Sequence, residues 1–233
     1  MLDAALRDAD AIAEGGMHGL VVENFGSWPF AKGTPEDPAP TVQIAFIARA
    51  VAAIRSRVDL PVGVNVLRND AHAALSVAAA CGGAFIRVNV HAGAALTDQG
   101  IIEGRAAHTL RLRQQLGAES VALFADVRVK HAAPLVPRDL VDEVEELTHR
   151  AGADAVIVTG RGTGQPVDHA LLAEVATAAA GRPVYIGSGM RPTQAALMQH
   201  AHGAIVGTWI KRGGDVRAPV DVARVRELVA AVG

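Results

Sequence analysis

Seven short apolar runs, each followed by a stretch with helical spacing, leave this chain few ways to fold. The strand-like runs are Gly19–Asn24, Pro61–Leu67, Ala84–Val90, Val121–Val127, Ala155–Thr159, Val184–Gly187 and Ala204–Gly207. Helical periodicity fills Leu2–Glu14, Val42–Arg57, Ala71–Ala80, Arg105–Leu116, Leu140–Ala151, His169–Ala179, Thr193–His200 and Val222–Ala231. Strands that alternate with helices predict a parallel sheet covered by its own crossover helices. Eight helices and seven strands fall one strand short of a (β/α)8 TIM barrel, and because the chain opens on a helix, the strand it lacks is the first. The length of 233 residues is just under the ~250 typical of that fold and predicts one α/β domain over residues 1–233.

Composition narrows the function classes. A net charge of −2 with scattered Lys and Arg gives no basic face for nucleic acid, and 3% aromatic residues leave few platforms for stacking bases. No uncharged apolar run reaches the length of a membrane span, and no secretory leader pattern opens the chain. A single cysteine, Cys81, excludes an intramolecular disulfide; its Ala-Ala-Ala-Cys-Gly-Gly setting reads as packing at a helix end. A cytoplasmic protein is the expectation.

Residues two apart on a strand face the same way, so the strands map the inside of the barrel. With Leu20, Val22, Val62, Val64, Ile86, Val88, Leu123, Ala125, Val156 and Val158 turned toward the helices, the inward positions near the C-terminal strand ends are Glu23, Asn65, Arg87, Asn89, Asp126 and Thr159. Catalytic groups of barrel enzymes sit at such strand ends. The alternative is a buried polar network that satisfies only itself, such as Arg87 paired with Glu23 or Asp126. On the catalytic reading Asp126 is the general base or acid and Glu23 its partner. Asn65, Asn89 and Arg87 then orient hydroxyls or hold an oxyanion, with Thr159 on the same side.

Asp126 opens Asp-Val-Arg-Val-Lys-His, which adds Lys130 as electrostatic clamp or Schiff-base amine and His131 as proton shuttle. A solvated loop lysine and a locally hydrogen-bonded histidine are the plainer readings of these two; His91 is a further candidate. Near the C-terminus, Gly187-Ser188-Gly189 and Gly207-Thr208 follow short strands, where backbone N–H groups can approach an anion; they are the expected phosphate cup for a phosphorylated small-molecule substrate. Glu23, Asp126 and His131 also suggest an oxygen-rich divalent metal site, although no fixed ligand spacing supports it. Gly-rich Thr159–Gly164 reads as a ligand-facing loop, lacking the spacing of a nucleotide fingerprint. Asp98–Gly100 and Glu103–Gly104 read as helix capping or a rim of the site. The irregular segment Phe25–Pro40 reads as a lid over the catalytic end.

Several of these stretches together resemble the BtpA family, which includes SgcQ-type proteins: Val22-Glu-Asn-Phe-Gly26, Pro61–Asp70, Phe85-Ile-Arg-Val-Asn89, Thr97–Gly104, Ala125-Asp126 with Lys130-His-Ala132, and Gly187-Ser-Gly189. The resemblance covers nearly the whole chain. It implies a TIM barrel of the ribulose-phosphate-binding type, and it implies an N-terminal strand ending in a Met-Val-His-Leu-like segment that this chain starts after. The expected function is an enzyme acting on a phosphorylated sugar or nucleotide-like molecule, by lyase, isomerase or glycosidic-bond chemistry. The family's association with photosystem I biogenesis implies the alternative, a noncatalytic assembly or stability factor. Strand edges left bare by a missing strand would favour a homo-oligomer.

Overall fold

A computed structural model describes residues 1–160 and 166–233. The chain opens on helix α1 (Leu2–Glu14) and then alternates β1 (Leu20–Glu23), α2 (Thr41–Arg55), β2 (Val62–Asn65), α3 (Ala71–Cys81) and β3 (Phe85–Val88). An excursion through β4 (Ala94–Thr97) and β5 (Gly100–Glu103) precedes α4 (Ala106–Gln115), β6 (Ala122–Val127) and β7 (Ala132–Pro134). The chain then continues through α5 (Leu140–Glu145), β8 (Ala155–Val158), α6 (His169–Ala178), β9 (Val184–Ile186), β10 (Gly203–Ala204) and α7 (Val222–Val232).

Seven of these strands form one parallel sheet in the order β1-β2-β3-β6-β8-β9-β10, with no pairing recorded between β1 and β10 among the described residues. The sheet is the curled wall of a (β/α) barrel, with the seven strands that the sequence predicts. Register carries the inward pattern across it: Glu23 pairs with Asn65, Arg87 with Phe124, and Asp126 with Ile157. Outward-facing Val62, Val64, Ile86 and Leu123 enter one large apolar cluster, and Ala125, Val156, Val158 and Ile186 enter a second. Ile12 of α1 packs against both clusters, and α1 lies beside α2 on one flank and α7 on the other. The outer layer therefore continues past the place where the sheet stops.

Three features differ from the sequence expectation. Residues read as capping or rim form a hairpin, β4 and β5, which joins β7 in a three-stranded antiparallel sheet of order β5-β4-β7. Its short strands come from two different loops, so neither loop alone carries a long alternating pattern. The helix expected over Leu140–Ala151 changes to a π-turn at Glu146–Arg150, and that over Thr193–His200 is 3₁₀-type from Pro192 to His200, with Gln194 off helical geometry. The last strand is shorter than expected, because after Ile205 bonds to Ile186 the chain turns through Thr208–Lys211 to bridge Val220.

Beneath the polar ring the barrel has an aromatic floor. Phe85 stacks on Phe124 with ring centroids 4.6 Å apart, and Phe124 meets Tyr185 at 4.8 Å. Gly63 and Gly203 leave room for this layer: a Cβ on Gly63 would lie 2.2 Å from the Phe85 ring, and one on Gly203 would lie 2.6 Å from Tyr185.

Candidate functional site

The C-terminal ends of β1, β2, β3, β6 and β8 bring Glu23, Asn65, Arg87, Asn89, Asp126 and Thr159 to the concave side above that floor. Arg87 holds Asp126 at two points, Nη2 to Oδ1 at 2.9 Å and Nε to Oδ2 at 3.2 Å. Asn89 Nδ2 donates to the same Oδ2 at 2.6 Å. The Asp126 side chain is fully shielded from solvent. A carboxylate so enclosed, with three donors on its two oxygens, is an anchor for Arg87 and Asn89.

Around this anchor stand polar atoms that find no partner among the described residues. Both Asn65 side-chain atoms, Asn89 Oδ1 and Ser188 Oγ are buried without a hydrogen bond. Buried polar groups are ordinarily paired, and these four unpaired atoms lie in neighbouring strand ends and the β9 loop.

Glu23 differs from Asp126. Its side chain keeps contact with water on the edge strand, yet it lies in the concavity with protein on most sides. That crowding raises its carboxyl above the usual range; Arg87 and Lys130 pull it down, and Asp126 adds to the rise. Lys130 is half-buried, and burial followed by the Arg87 charge lowers its ammonium below the ordinary lysine value. Its backbone N–H donates to Thr159 Oγ1 at 3.1 Å, which ties the β6 loop to β8.

His131 stands exposed beyond Lys130, with its backbone carbonyl accepting from Arg68 Nη2 at 3.1 Å. Partial burial, then Lys130 and Arg68, lower its imidazole. No group of three His, Cys, Asp or Glu side chains is placed to hold a metal ion among the described residues, so the Glu23–Asp126–His131 set does not assemble into one. His91 is buried, with Nε2 2.9 Å from the Ala151 carbonyl, and serves as a packing anchor. The Cys81 thiol, pushed up by burial, lies 3.4 Å from the Ala48 carbonyl.

On the β9 side, the Gly187 N–H is committed to Val158 O at 2.8 Å and is not available to an anion. Gly187 is a glycine for space: a Cβ there would lie 2.4 Å from Ile157 Cγ2, 2.6 Å from Thr159 Cγ2 and 3.2 Å from Arg87 Nη2. The backbone N–H groups of Ser188, Gly189, Gly207 and Thr208 donate to no acceptor among the described residues. The glycine-rich stretch after Thr159 lies, from Arg161 to Gly164, outside the described residues.

Phe25–Pro40 is fastened down at several points. Arg68 N donates to Ala31 O at 3.0 Å, Ala39 N to Asp70 Oδ2 at 3.0 Å, and Gln99 Nε2 to Phe30 O at 2.5 Å. The segment expected as a lid is thus strapped to the β2 loop and the hairpin tip. Two further site-building residues escaped the sequence reading of roles. Asn24 exchanges bonds with both Leu67 backbone groups, 2.7 and 3.1 Å, and Asn69 does so with Val90, 2.8 and 2.9 Å. Each side-chain amide imitates a paired strand; the asparagines just past strand ends were the available signal.

Comparison with known proteins fits this geometry. The model of the BtpA family matches residues 1–233. An uncharacterized protein of Thermococcus kodakarensis is 46% identical over 230 residues, 98% of this chain and 85% of that protein. The photosystem I biogenesis protein BtpA of Synechocystis is 42% identical over 233 residues, 100% of this chain and 79% of its own. Among solved structures, N-(5'-phosphoribosyl)anthranilate isomerase from Pyrococcus furiosus superposes with a TM-score of 0.61 at 14% identity, covering 97% of this chain and 93% of its own. KGPDC from Streptococcus mutans gives 0.60 at 12% identity, covering 99% and 92%. These two likenesses speak for the fold alone. No helix among the described residues is long and apolar enough to cross a membrane.

Proposed function

The chain belongs to the BtpA family, and on that premise we propose that it is an enzyme acting on a phosphorylated sugar or nucleotide-like small molecule. The observation that carries this reading is the set of buried, unpartnered polar atoms on Asn65, Asn89 and Ser188 around the Arg87–Asp126 pair. A ring that served only stability would satisfy itself. Phosphate binds through the backbone N–H groups of Ser188, Gly189, Gly207 and Thr208, which have no acceptor among the described residues, with Gly187 providing space beside Arg87.

Proton transfer is assigned to Glu23, since its carboxyl is reachable and holds its proton above the usual carboxylate range, while Asp126 is closed off and positions Arg87 and Asn89. Lys130, with its ammonium lowered, stands by as clamp or amine nucleophile, and Thr159 and His131 border the same loop. Isomerisation, elimination and glycosidic cleavage all use such a proton donor beside a cationic clamp.

Thermal shift with inorganic phosphate, ribose 5-phosphate and unphosphorylated ribose tests the reading. The phosphorylated probes should raise Tm, by about 2–4 °C per kcal/mol of binding, and ribose should not. A folded sample indifferent to every phosphorylated probe overturns it.

A second reading, a noncatalytic assembly factor, follows from the description of the Synechocystis relative as a photosystem I biogenesis protein. A partner protein that remains bound to a Glu23→Gln variant supports it; loss of a measured turnover in that variant favours the enzyme.

A further inference from the structure

A cavity of about 370 Å³ lies between the three-stranded sheet and α5, beside the polar ring, with which it shares Asn89 and Asp126. That volume falls within the ~300–1,000 Å³ usual for small-molecule pockets. Its walls are Val90, Ala95, Val127, Val129 and Leu147, and three of these form a small apolar cluster separate from the two large ones. Leu135 and Val136 stand at its entrance, 49% and 65% exposed. Four charged residues complete the mouth, and they are already paired. Arg128 reaches Glu143 at 2.9 and 3.2 Å, and Arg138 bonds to Glu146. No uncompensated charge is left to select an ion.

The inner end is formed by Asn89 and Asp126. Asn89 Nδ2 is fixed on Asp126, so the amide cannot turn over, and its Oδ1 remains a buried acceptor without a partner among the described residues. Two backbone departures frame the same cavity. Arg128, at φ 50, holds a left-handed conformation that non-glycine residues rarely adopt, and α5 runs into the π-turn that carries Glu146 and Leu147.

We propose that this cavity binds an uncharged, flat apolar molecule or group carrying one N–H or O–H donor, of the size and chemistry of indole. Apolar walls exclude a charged body, and the donor satisfies Asn89 Oδ1. The site stands whether or not phosphate binds on the β9 side.

Indole and benzofuran, which differ by that donor, are titrated against the folded protein by saturation-transfer NMR. Indole is expected to bind saturably, and benzofuran about fivefold more weakly, the worth of one net hydrogen bond. Ala95→Phe, which fills the cavity from its wall, should weaken indole by about tenfold or more. Ala133→Trp, on an exposed strand position lining the same space, should do likewise and serves if Ala95→Phe does not fold. Absence of saturable indole binding to the wild type, equal binding of benzofuran, or undiminished binding to a folded filling variant overturns the assignment.

Discussion

Arg87 and Asp126 face each other in a two-point ion pair whose side chains are 5% and 0% exposed, and Asn89 closes the remaining side of the carboxylate. The pair joins β3 to β6 above the aromatic floor and sets the positions of the groups around it.

Removing one partner should therefore cost far more than removing both. Asp126→Ala leaves a buried guanidinium uncompensated and is expected to lower stability by about 3–5 kcal/mol. The double variant Arg87→Met, Asp126→Leu should recover much of that loss. Urea denaturation of the two single variants and the double one measures the coupling; additive losses would show that the pair is not coupled.

Glu23 binds its proton more tightly in the folded chain than in the unfolded one, where its pKa is near 4.5. Its favourable contribution is complete below that value and is lost as pH rises through the raised folded value. Glu23→Gln should thus match the wild type in acid and be the more stable protein above that window. Tm measured against pH for both proteins checks this, and parallel profiles would remove Glu23 from the titration.

Two of the three glycines of the proposed phosphate cup, Gly187 and Gly207, should respond differently to alanine. At Gly187 a Cβ meets Ile157 and Thr159 at 2.4 and 2.6 Å, so Gly187→Ala is expected to destabilise by about 1–3 kcal/mol. At Gly207 a Cβ meets nothing within 4 Å, and Gly207→Ala should stay within about 0.5 kcal/mol of the wild type. Chemical denaturation of both variants distinguishes them.

Asp8 of α1 accepts from Val220 N at 2.9 Å and from Lys211 Nζ at 2.5 Å. Asp8→Ala leaves a partly buried N–H without its acceptor and should cost about 1–3 kcal/mol. Calorimetry on Asp8→Ala and Asp8→Asn separates the lost hydrogen bond from the lost charge, since Asn keeps an acceptor.

Much of the wall was legible because its signal is local. Valines at alternate positions of Val62–Val66 and Val156–Val158 identify the helix side, and Glu23, Asn65, Arg87 and Asp126 then fall inside by parity alone. The β4–β5–β7 sheet was not legible, since its pairing depends on two loops 35 to 39 residues apart meeting in space, a long-range fact that short strands do not encode. The surroundings of Asp126 were legible in part: a pair with Arg87 was one of the readings, and the third donor, Asn89, was not. Parity places its carboxylate inside the barrel but says nothing of three donors closing around it. Likewise, Gly187 looked like an anion-binding glycine, whereas its N–H completes a strand pair and its missing side chain makes room for Thr159 and Arg87.

Helix α1 spans the interval where the sheet stops, with Ile12 set into both apolar clusters and Gly15 so close to Val225 that a Cβ would lie 2.1 Å from its Cγ1. Among the described residues neither β1 nor β10 has a strand on its outer side. Amide exchange at those two edges can then proceed by local opening without involving the central strands. An unpaired strand edge is also a surface on which another strand can pair, so the two ends of the sheet are where association of this chain would begin.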